Sequence, residues 1–193
     1  MISCMLSTTD AIVLSLQPVS DQAHLLHAYT RTGGRVNYKV YGLGRKKSAG
    51  LYSPLALLQL TTDQRSLRTA QLSFVPATIT TDPYKRTVAL FLGEVLYHVL
   101  RHPMPDEAMF DFLANAIQAL DETDEPQNFH VHFLIAFAAR LGFALEETHP
   151  LFATPTTRAE RQEQLRGLCA YFAEHVETWE SPRSLEILAE VFD

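Results

Sequence analysis

The chain has 193 residues, of which 47% are apolar and 20% charged, an ordinary composition for a globular protein and too apolar for a disordered one. Glu94 and His98 interrupt the longest apolar stretch, so no segment reaches the roughly 18 apolar residues of a membrane span. The two cysteines lie far apart, which excludes a disulfide framework and a cysteine-rich zinc module. No signal peptide is predicted, and a reducing cytoplasm is the expected compartment.

The formal net charge of −6 is distributed unevenly along the chain. Residues 1–80 contain eight basic and three acidic residues, a balance of +5, whereas residues 81–193 contain eight basic and nineteen acidic residues, a balance of −11. Because salt screens charges beyond roughly 8–10 Å, a basic segment neutralises phosphates even within an acidic chain. The asymmetry therefore indicates two surfaces with different partners.

Five short apolar runs predict strands in the first part of the chain. They cover residues 12–16, 24–31, 35–41, 55–60 and 67–75, with turn residues such as Gly33-Gly34 and Ser53-Pro54 between them. In the third run Val36, Tyr38 and Val40 are predicted to face one way, and the intervening residues the other. Five short strands favour a small closed or nearly closed antiparallel barrel of the OB-fold type over a sandwich.

From Asp82-Pro83 onward the pattern becomes helical, because a capping side chain precedes a proline at the first helical position. Helices are predicted over residues 83–102, 106–120, 128–141, 157–178 and 183–192, with a loop over 143–157. The helix 128–141 is almost entirely apolar and is expected to be the hub of this part. The fold class is therefore α+β, with an OB-fold barrel over residues 1–80 and a helical domain over residues 81–193.

The strongest local feature is the basic segment 42–50, Gly-Leu-Gly-Arg-Lys-Lys-Ser-Ala-Gly, which directly follows the strand 35–41. Cations track a phosphate backbone, and an aromatic ring offers a face on which a base stacks. A solvated hairpin turn is the alternative interpretation. The candidate nucleic-acid-binding residues are Arg31, Arg35, Lys39, Tyr41, Arg45, Lys46, Lys47, Arg65 and Arg68. Nothing in the sequence offers base-specific readout, so binding is expected to depend little on DNA sequence.

Motifs for catalysis are sparse in this sequence. It contains no P-loop, no Gly-x-Gly-x-x-Gly and no Gly-x-Ser-x-Gly. Glu94, His98 and His102 follow one another at intervals of four residues. This spacing would place them on one helix face, where they could hold a zinc ion. Because histidines near a helix C-terminus also suit the negative end of its dipole, we prefer capping to a metal-dependent enzyme.

Several short motifs, each present once, follow one another in a characteristic order along nearly the whole chain. The N-terminal set is Ala-Ile-Val-Leu-Ser at 11–15, Gly-Arg-Val at 34–36, Gly-Arg-Lys-Lys-Ser at 44–48 and Pro-Leu-Ala-Leu-Leu at 54–58. The helical set lies at 86–97, 128–130, 141–143 and 184–192. In this order the sequence resembles the RecO family of bacterial recombination mediators, and its helical part is similar to the Bacteroidetes type.

The resemblance implies an OB-fold that binds single- and double-stranded DNA, followed by a helical domain. Members of the family anneal complementary strands and help to load recombinase on to DNA coated by single-strand-binding protein (SSB). The implied partners are RecR, in some species RecF, and the acidic C-terminal tail of SSB. The resemblance implies no cofactor and no covalent chemistry.

Two departures from the family pattern bear on function. Many relatives carry a four-cysteine zinc module that is missing from this sequence, and the segment between Phe143 and Arg158 is shorter than in relatives. A protein-interaction module with little DNA binding of its own is therefore the alternative function. Because the helical part is acidic, the SSB tail would need a local basic and apolar pocket. Arg140 is the candidate lining residue, with a helix-capping cation as the alternative.

Overall fold

The computed structural model describes residues 6–43, 50–63 and 66–191. Within these ranges five strands precede five helices, which confirms the predicted α+β class. The strands are β1 (Leu6–Ser20), β2 (Ala23–Thr30), β3 (Gly34–Tyr41), β4 (Leu57–Asp63) and β5 (Ser66–Leu72). The helices are α1 (Pro83–Val99), α2 (Glu107–Glu122), α3 (Phe129–Arg140), α4 (Arg158–His175) and α5 (Ser184–Val191). None of the described helices combines the length and the apolarity that a membrane crossing requires.

The chain folds into two compact units. One comprises residues 1–76 and 100–115, and the other comprises residues 77–99 and 116–193. Helix α2 contributes its first half to the sheet-containing unit and its second half to the helical unit. The domain boundary that the sequence indicates at residue 80 stays a prediction.

The sheet of the first unit is antiparallel and has the strand order β3-β2-β1-β4-β5. Residues 6–12 of β1 pair with β4 and residues 11–20 pair with β2, and the register of the β1–β2 ladder shifts between Val13 and Ser15. Such an irregularity bends a strand and increases its twist, which lets one strand serve two neighbours. The edge strands β3 and β5 contact each other, but no hydrogen-bonded ladder joins them among the described residues. The sheet therefore matches the predicted OB-fold type, as a curled five-stranded sheet with an open seam between β3 and β5.

The alternation predicted for 35–41 matches the burial of β3. Tyr38 and Val40 are buried, whereas Asn37, Lys39 and Tyr41 are exposed. The inward side chains join a single apolar core beneath the sheet. This core contains Ala11, Val13, Leu26, Ala28, Tyr38, Val40, Tyr52, Ala56, Leu58 and Leu60. The outward face of β3, with Asn37, Lys39 and Tyr41, is therefore accessible to solvent.

The start of β3 lies against the segment 100–104 of the same unit. The backbone N–H of Arg35 donates to the carbonyl of His102 at 3.0 Å, and its Nη1 donates to the carbonyl of Leu100 at 3.2 Å. Gly34 has a positive φ of 62°, and a β-carbon there would collide with the backbone of Met104. Glycine is therefore required at this position both by its backbone conformation and by the close approach.

The helical unit packs around α3, as its apolar sequence predicts. Phe137 is fully buried and stacks with Phe133, at a centroid distance of 5.5 Å, and with Phe172 of α4, at 6.0 Å. Helix α4 begins with a capping box, in which Thr157 and Glu160 satisfy each other's backbone N–H groups. The aromatic stack fixes α4 against α3, and the capping box fixes where α4 starts.

The segment that enters α1 is held by the buried carboxylate of Asp121, near the end of α2. The two carboxylate oxygens accept hydrogen bonds from the backbone N–H groups of residues 77, 78 and 79, each at 2.8 Å. The buried Nζ of Lys85 donates to Thr78 Oγ1 and to the Asp121 carbonyl, both at 2.7 Å. Burial alone would raise the pKa of Asp121, but the backbone donors outweigh it and lower the pKa.

Replacing Asp121 with Ala leaves three backbone N–H groups without their acceptor, and that of Ile79 is buried. We expect the free energy of unfolding, measured in urea, to fall by about 3 kcal/mol or more. The control is Asp124→Ala, which removes an exposed acid three residues further on and should change stability by about 0.5 kcal/mol at most. Equal stabilities for the two variants would contradict the role assigned to Asp121.

The buried imidazole of His130 makes stability depend on pH. Burial, followed by the charges of Arg161 and His132, lowers the pKa of His130 to about 3. The unfolded chain binds a proton there below about pH 6.5 while the folded chain does not, so stability is full above that pH and falls as pH decreases. Between pH 6.5 and 4.5 the loss attributable to this group approaches about 1.4 kcal/mol per pH unit.

We therefore expect His130→Gln to flatten the decline in the free energy of unfolding over this window, whatever its effect at neutral pH. His102→Gln removes an exposed histidine outside this helix and should keep the wild-type slope. Burial also lowers the pKa of His27, which acts in the same direction but is present in both variants. Parallel pH profiles for the wild type and His130→Gln would disprove the assignment.

Candidate nucleic-acid interface

The outward face of β3 ends in an exposed aromatic residue. Tyr41 is 66% exposed, and Lys39, two residues earlier on the same face, is also exposed. The strand places both side chains outward because Tyr38 and Val40 are anchored in the core. A large aromatic side chain that is two-thirds exposed beside a cation is suited to stacking against a ligand.

A groove runs along the open seam between β3 and β5, with a volume of about 360 Å³. We call it the seam groove. Its floor and walls include Leu43, Leu51, Tyr52 and Leu67, and its rim carries Lys39, Tyr41 and Arg68. Apolar walls with cations at the rim fit a chain that has flat apolar groups and a negative backbone.

A second cavity lies next to Tyr41, formed with the turn between β1 and β2. This turn cavity has a volume of about 330 Å³ and is lined by Asp21, Gln22, His24, Tyr41, Gly42 and Leu43. Gly42 has a positive φ of 68° and its N–H donates to the carbonyl of Gln22 at 3.4 Å. Glycine thus allows the chain to turn immediately after β3 and to remain beside the β1–β2 turn.

Two of the predicted cations form contacts within the unit. The guanidinium of Arg31 lies 2.7 Å from the carboxylate of Asp111 and 4.5 Å from the ring centroid of Phe110. The hydrogen bond to Asp111 raises the pKa of Arg31. Arg35 donates to the Leu100 carbonyl, as described above. Both side chains therefore tie the sheet to the segment 100–115.

The remaining predicted residues divide into two groups. Arg68 forms an ion pair of 2.6 Å with Asp63, and its side chain remains 55% exposed at the rim of the seam groove. Arg45, Lys46, Lys47 and Arg65 lie outside the described residues. The structure thus brings Lys39, Tyr41 and Arg68 together around one groove.

The helical unit contains a different cavity, between α4 and α5, with a volume of about 280 Å³. We call it the helical cavity. Three arginines, Arg158, Arg161 and Arg166, line it together with His130, Gln162, Leu165, Leu185, Glu186, Leu188 and Ala189. Two of the arginines also hold neighbouring chain: Arg158 donates to the Ala189 carbonyl at 2.7 Å and Arg161 to Asn128 Oδ1 at 2.8 Å. The sequence patterns did not indicate this cavity, although Arg158, Arg161 and Arg166 lie at i, i+3 and i+8, which a helix brings to one side.

Arg140 is exposed in the last turn of α3, and the walls of the helical cavity are made by other residues. Beside it in sequence, Phe143 stacks on His175 at 4.9 Å, and its carbonyl accepts a hydrogen bond from the hydroxyl of Tyr171 at 3.1 Å. The assignment of Arg140 as a partner-binding residue stays a prediction.

The residues considered for a metal site have other contacts. The carboxylate of Glu94 accepts hydrogen bonds from the N–H and the hydroxyl of Ser184, at 3.0 and 2.7 Å. His98 Nδ1 lies 3.8 Å from a carboxylate oxygen of Glu180. Within the described ranges no group of three or more His, Cys, Asp or Glu side chains is placed to hold a metal ion.

Comparisons with known proteins give one consistent family. Residues 80–151 match the family model described as Recombination protein O C terminal. The chain is 33% identical to the DNA repair protein RecO of Porphyromonas gingivalis over 150 residues. The alignment covers 72% of this chain and 61% of that protein. Over 148 residues the chain is 34% identical to the DNA repair protein RecO of Phocaeicola vulgatus, with the same coverage.

A third relative extends the match along the chain. The DNA repair protein RecO of Flavobacterium johnsoniae is 27% identical over 232 residues, which cover 95% of this chain and 98% of that protein. The chain thus spans about three fifths of the length of the first two relatives and nearly all of the third. The same family follows from the family model and from all three relatives, and the chain belongs to the RecO family.

Proposed function

We propose that this chain is a non-enzymatic mediator of recombinational DNA repair. It binds single- and double-stranded DNA with little sequence preference, anneals complementary strands and assists recombinase loading on SSB-coated DNA. The observation that carries the proposal is the seam groove, at whose rim Lys39, Tyr41 and Arg68 meet. The relatives named as DNA repair proteins support the biological setting.

The chemistry of the seam groove suits a single strand. Lys39 and Arg68 neutralise phosphates, and Tyr41 offers a ring face to one base, while Leu51 and Tyr52 provide an apolar wall. Phosphate contacts and ring stacking are both tolerant of sequence. Arg45, Lys46, Lys47 and Arg65 add cations in this proposal. Arg31 and Arg35 contribute less because they are engaged within the unit, whereas Arg68, although paired with Asp63, keeps 55% of its side chain exposed.

Annealing follows from this mode of binding. A strand that is held by its phosphates and by stacking keeps most of its Watson–Crick edges directed away from the protein. Those edges are then available to a complementary strand, whose own phosphates are drawn to the same cations. The proposal requires no bond making or breaking by the protein.

Binding of a fluorescent single-stranded oligonucleotide, followed by anisotropy across a salt series, tests the proposal. With about four phosphates neutralised, log K should fall against log salt with a slope of roughly −3, since each contact on a single strand contributes about −0.7. The double variant Lys39→Gln, Arg68→Gln should reduce the slope to roughly −1.4 and weaken binding about 20-fold at 0.1 M salt.

Arg101→Gln is the matched control, since it removes an exposed cation of the same unit that does not line the seam groove. It should leave the slope unchanged, and thermal unfolding verifies that all variants are folded. If the double variant and the control have the same slope, the seam groove is not the DNA-binding surface. If the wild type binds no DNA at low salt, the alternative of a partner-only repair module is favoured.

A specific observation also supports a protein partner. Because the helical part of the chain is acidic overall, the acidic tail of SSB requires a local pocket that is basic and apolar. The helical cavity has this character, since it combines three arginines with Leu165, Leu185 and Leu188. We propose that the tail binds there, with its carboxylates at the arginines and its apolar side chains on the leucines. RecR, and RecF where it is present, complete the proposed set of partners without an assigned surface.

Arg166→Glu tests this assignment, because Arg166 is exposed at the wall of the cavity. We expect it to weaken binding of a fluorescent SSB-tail peptide by about tenfold or more, since it replaces attraction by repulsion. Arg140→Glu makes the same charge change outside the cavity and should leave the peptide affinity unchanged. The reverse pattern would return the tail to Arg140, as the sequence predicts, and would remove the helical cavity from the proposal.

A further inference from the structure

Tyr41 stands between two cavities that differ in chemistry. Its side chain lines both the seam groove and the turn cavity, and Gly42 and Leu43 are shared in the same way. The seam groove carries cations at its rim, whereas the polar lining of the turn cavity consists of Asp21, Gln22 and His24. A strand that stacks a base on Tyr41 therefore places the adjoining base at a cavity with hydrogen-bonding side chains.

The carboxylate of Asp21 is out of place for a phosphate contact. It is one of three acidic residues in the first 80, and it lies beside the residue expected to stack a base. An ionised carboxylate only accepts hydrogen bonds, while the amide of Gln22 both donates and accepts. Near a nucleic acid this pair repels phosphate and attracts a base edge that presents donors next to an acceptor.

Guanine is the base that satisfies this pair. On its Watson–Crick edge the N1–H and the 2-amino group are adjacent donors that fit the two oxygens of one carboxylate, and O6 accepts from an amide N–H. Adenine, cytosine and thymine each place an acceptor beside their donor, and that acceptor would face the carboxylate. Unstacked bases in single strands are read in this way, by stacking on an aromatic ring together with hydrogen bonds to the exposed edge.

We propose that the turn cavity is a guanine-selective subsite, in which Asp21 and Gln22 read the base edge and Tyr41 stacks against the ring. This inference rests on the proposed single-strand binding and adds to it a modest base preference, where the sequence analysis expected none. One anchored guanine leaves the neighbouring bases in the seam groove free to pair, so the subsite sets the position of a strand without preventing annealing.

The test compares three oligonucleotides of about 15 nucleotides, a length that covers a typical OB-fold site. The first is oligo(dT), the second carries dG at every third position, and the third carries dI in place of dG, which lacks only the 2-amino group. Isolated guanines in a dT background cannot form quadruplexes. With the full chain, we expect the dG oligonucleotide to bind about five- to tenfold more tightly than oligo(dT), and the dI oligonucleotide to lose most of that gain.

Asp21→Asn should equalise the dG and dT affinities, because the amide presents a donor to the guanine edge. Glu107→Gln removes the same charge from an exposed position of the same unit outside the cavity and should keep the preference. Equal affinities of the wild type for dG and dT overturn the subsite and leave the proposed DNA binding intact. Failure to bind any of the three overturns both. A preference that survives Asp21→Asn moves guanine recognition away from Asp21 and disproves this inference.

Discussion

The helical unit depends on one buried carboxylate. Asp121 accepts the N–H groups of three consecutive residues where the chain enters α1, and Lys85 closes the cluster by donating to the Asp121 carbonyl. Three donors converging on one anion specify the path of residues 77–79 far more tightly than apolar contact would. Helix α1 therefore starts at a fixed point, from which Phe91 and Leu96 reach the interior of the unit.

Sequence patterns predicted those parts of the fold whose cause is local. The alternation in 35–41 identified the buried and exposed faces of β3, and Asp82-Pro83 marked the start of α1 at Pro83. The predicted strand 12–16 fell short of β1, which covers Leu6–Ser20. The missing ends are mostly exposed and are ordered by pairing. Residues 6–11 pair with β4, as in the hydrogen bond of 2.9 Å between Ser7 and Thr62, and residues 17–20 pair with β2. Pairing of that kind leaves no apolar period in the sequence.

The candidate site shows the same division. Strand alternation predicted the exposure of Lys39 and Tyr41. Nothing in the sequence was a reason to treat Arg31 differently, yet its guanidinium is engaged by Asp111, eighty residues away along the chain. In the sequence, the arginines of α4 look like ordinary surface residues. They line a cavity because α5 packs beside them. Contacts between distant segments decide which cations are available to a ligand, and single-sequence patterns do not contain them.

The crossing of segment 100–104 over the start of β3 has a further consequence for how this sheet behaves in solution. An edge strand with free backbone groups is a template for strand addition by another molecule, which leads to aggregation. At the start of β3 that template is occupied, since His102 accepts from the N–H of Arg35 and Gly34 admits the backbone of Met104. Among the described residues, the open part of this edge lies toward Lys39 and Tyr41, where a lysine charge opposes self-association. The chain thus leaves its edge accessible at the end where a strand of nucleic acid is proposed to bind, and blocks it at the other.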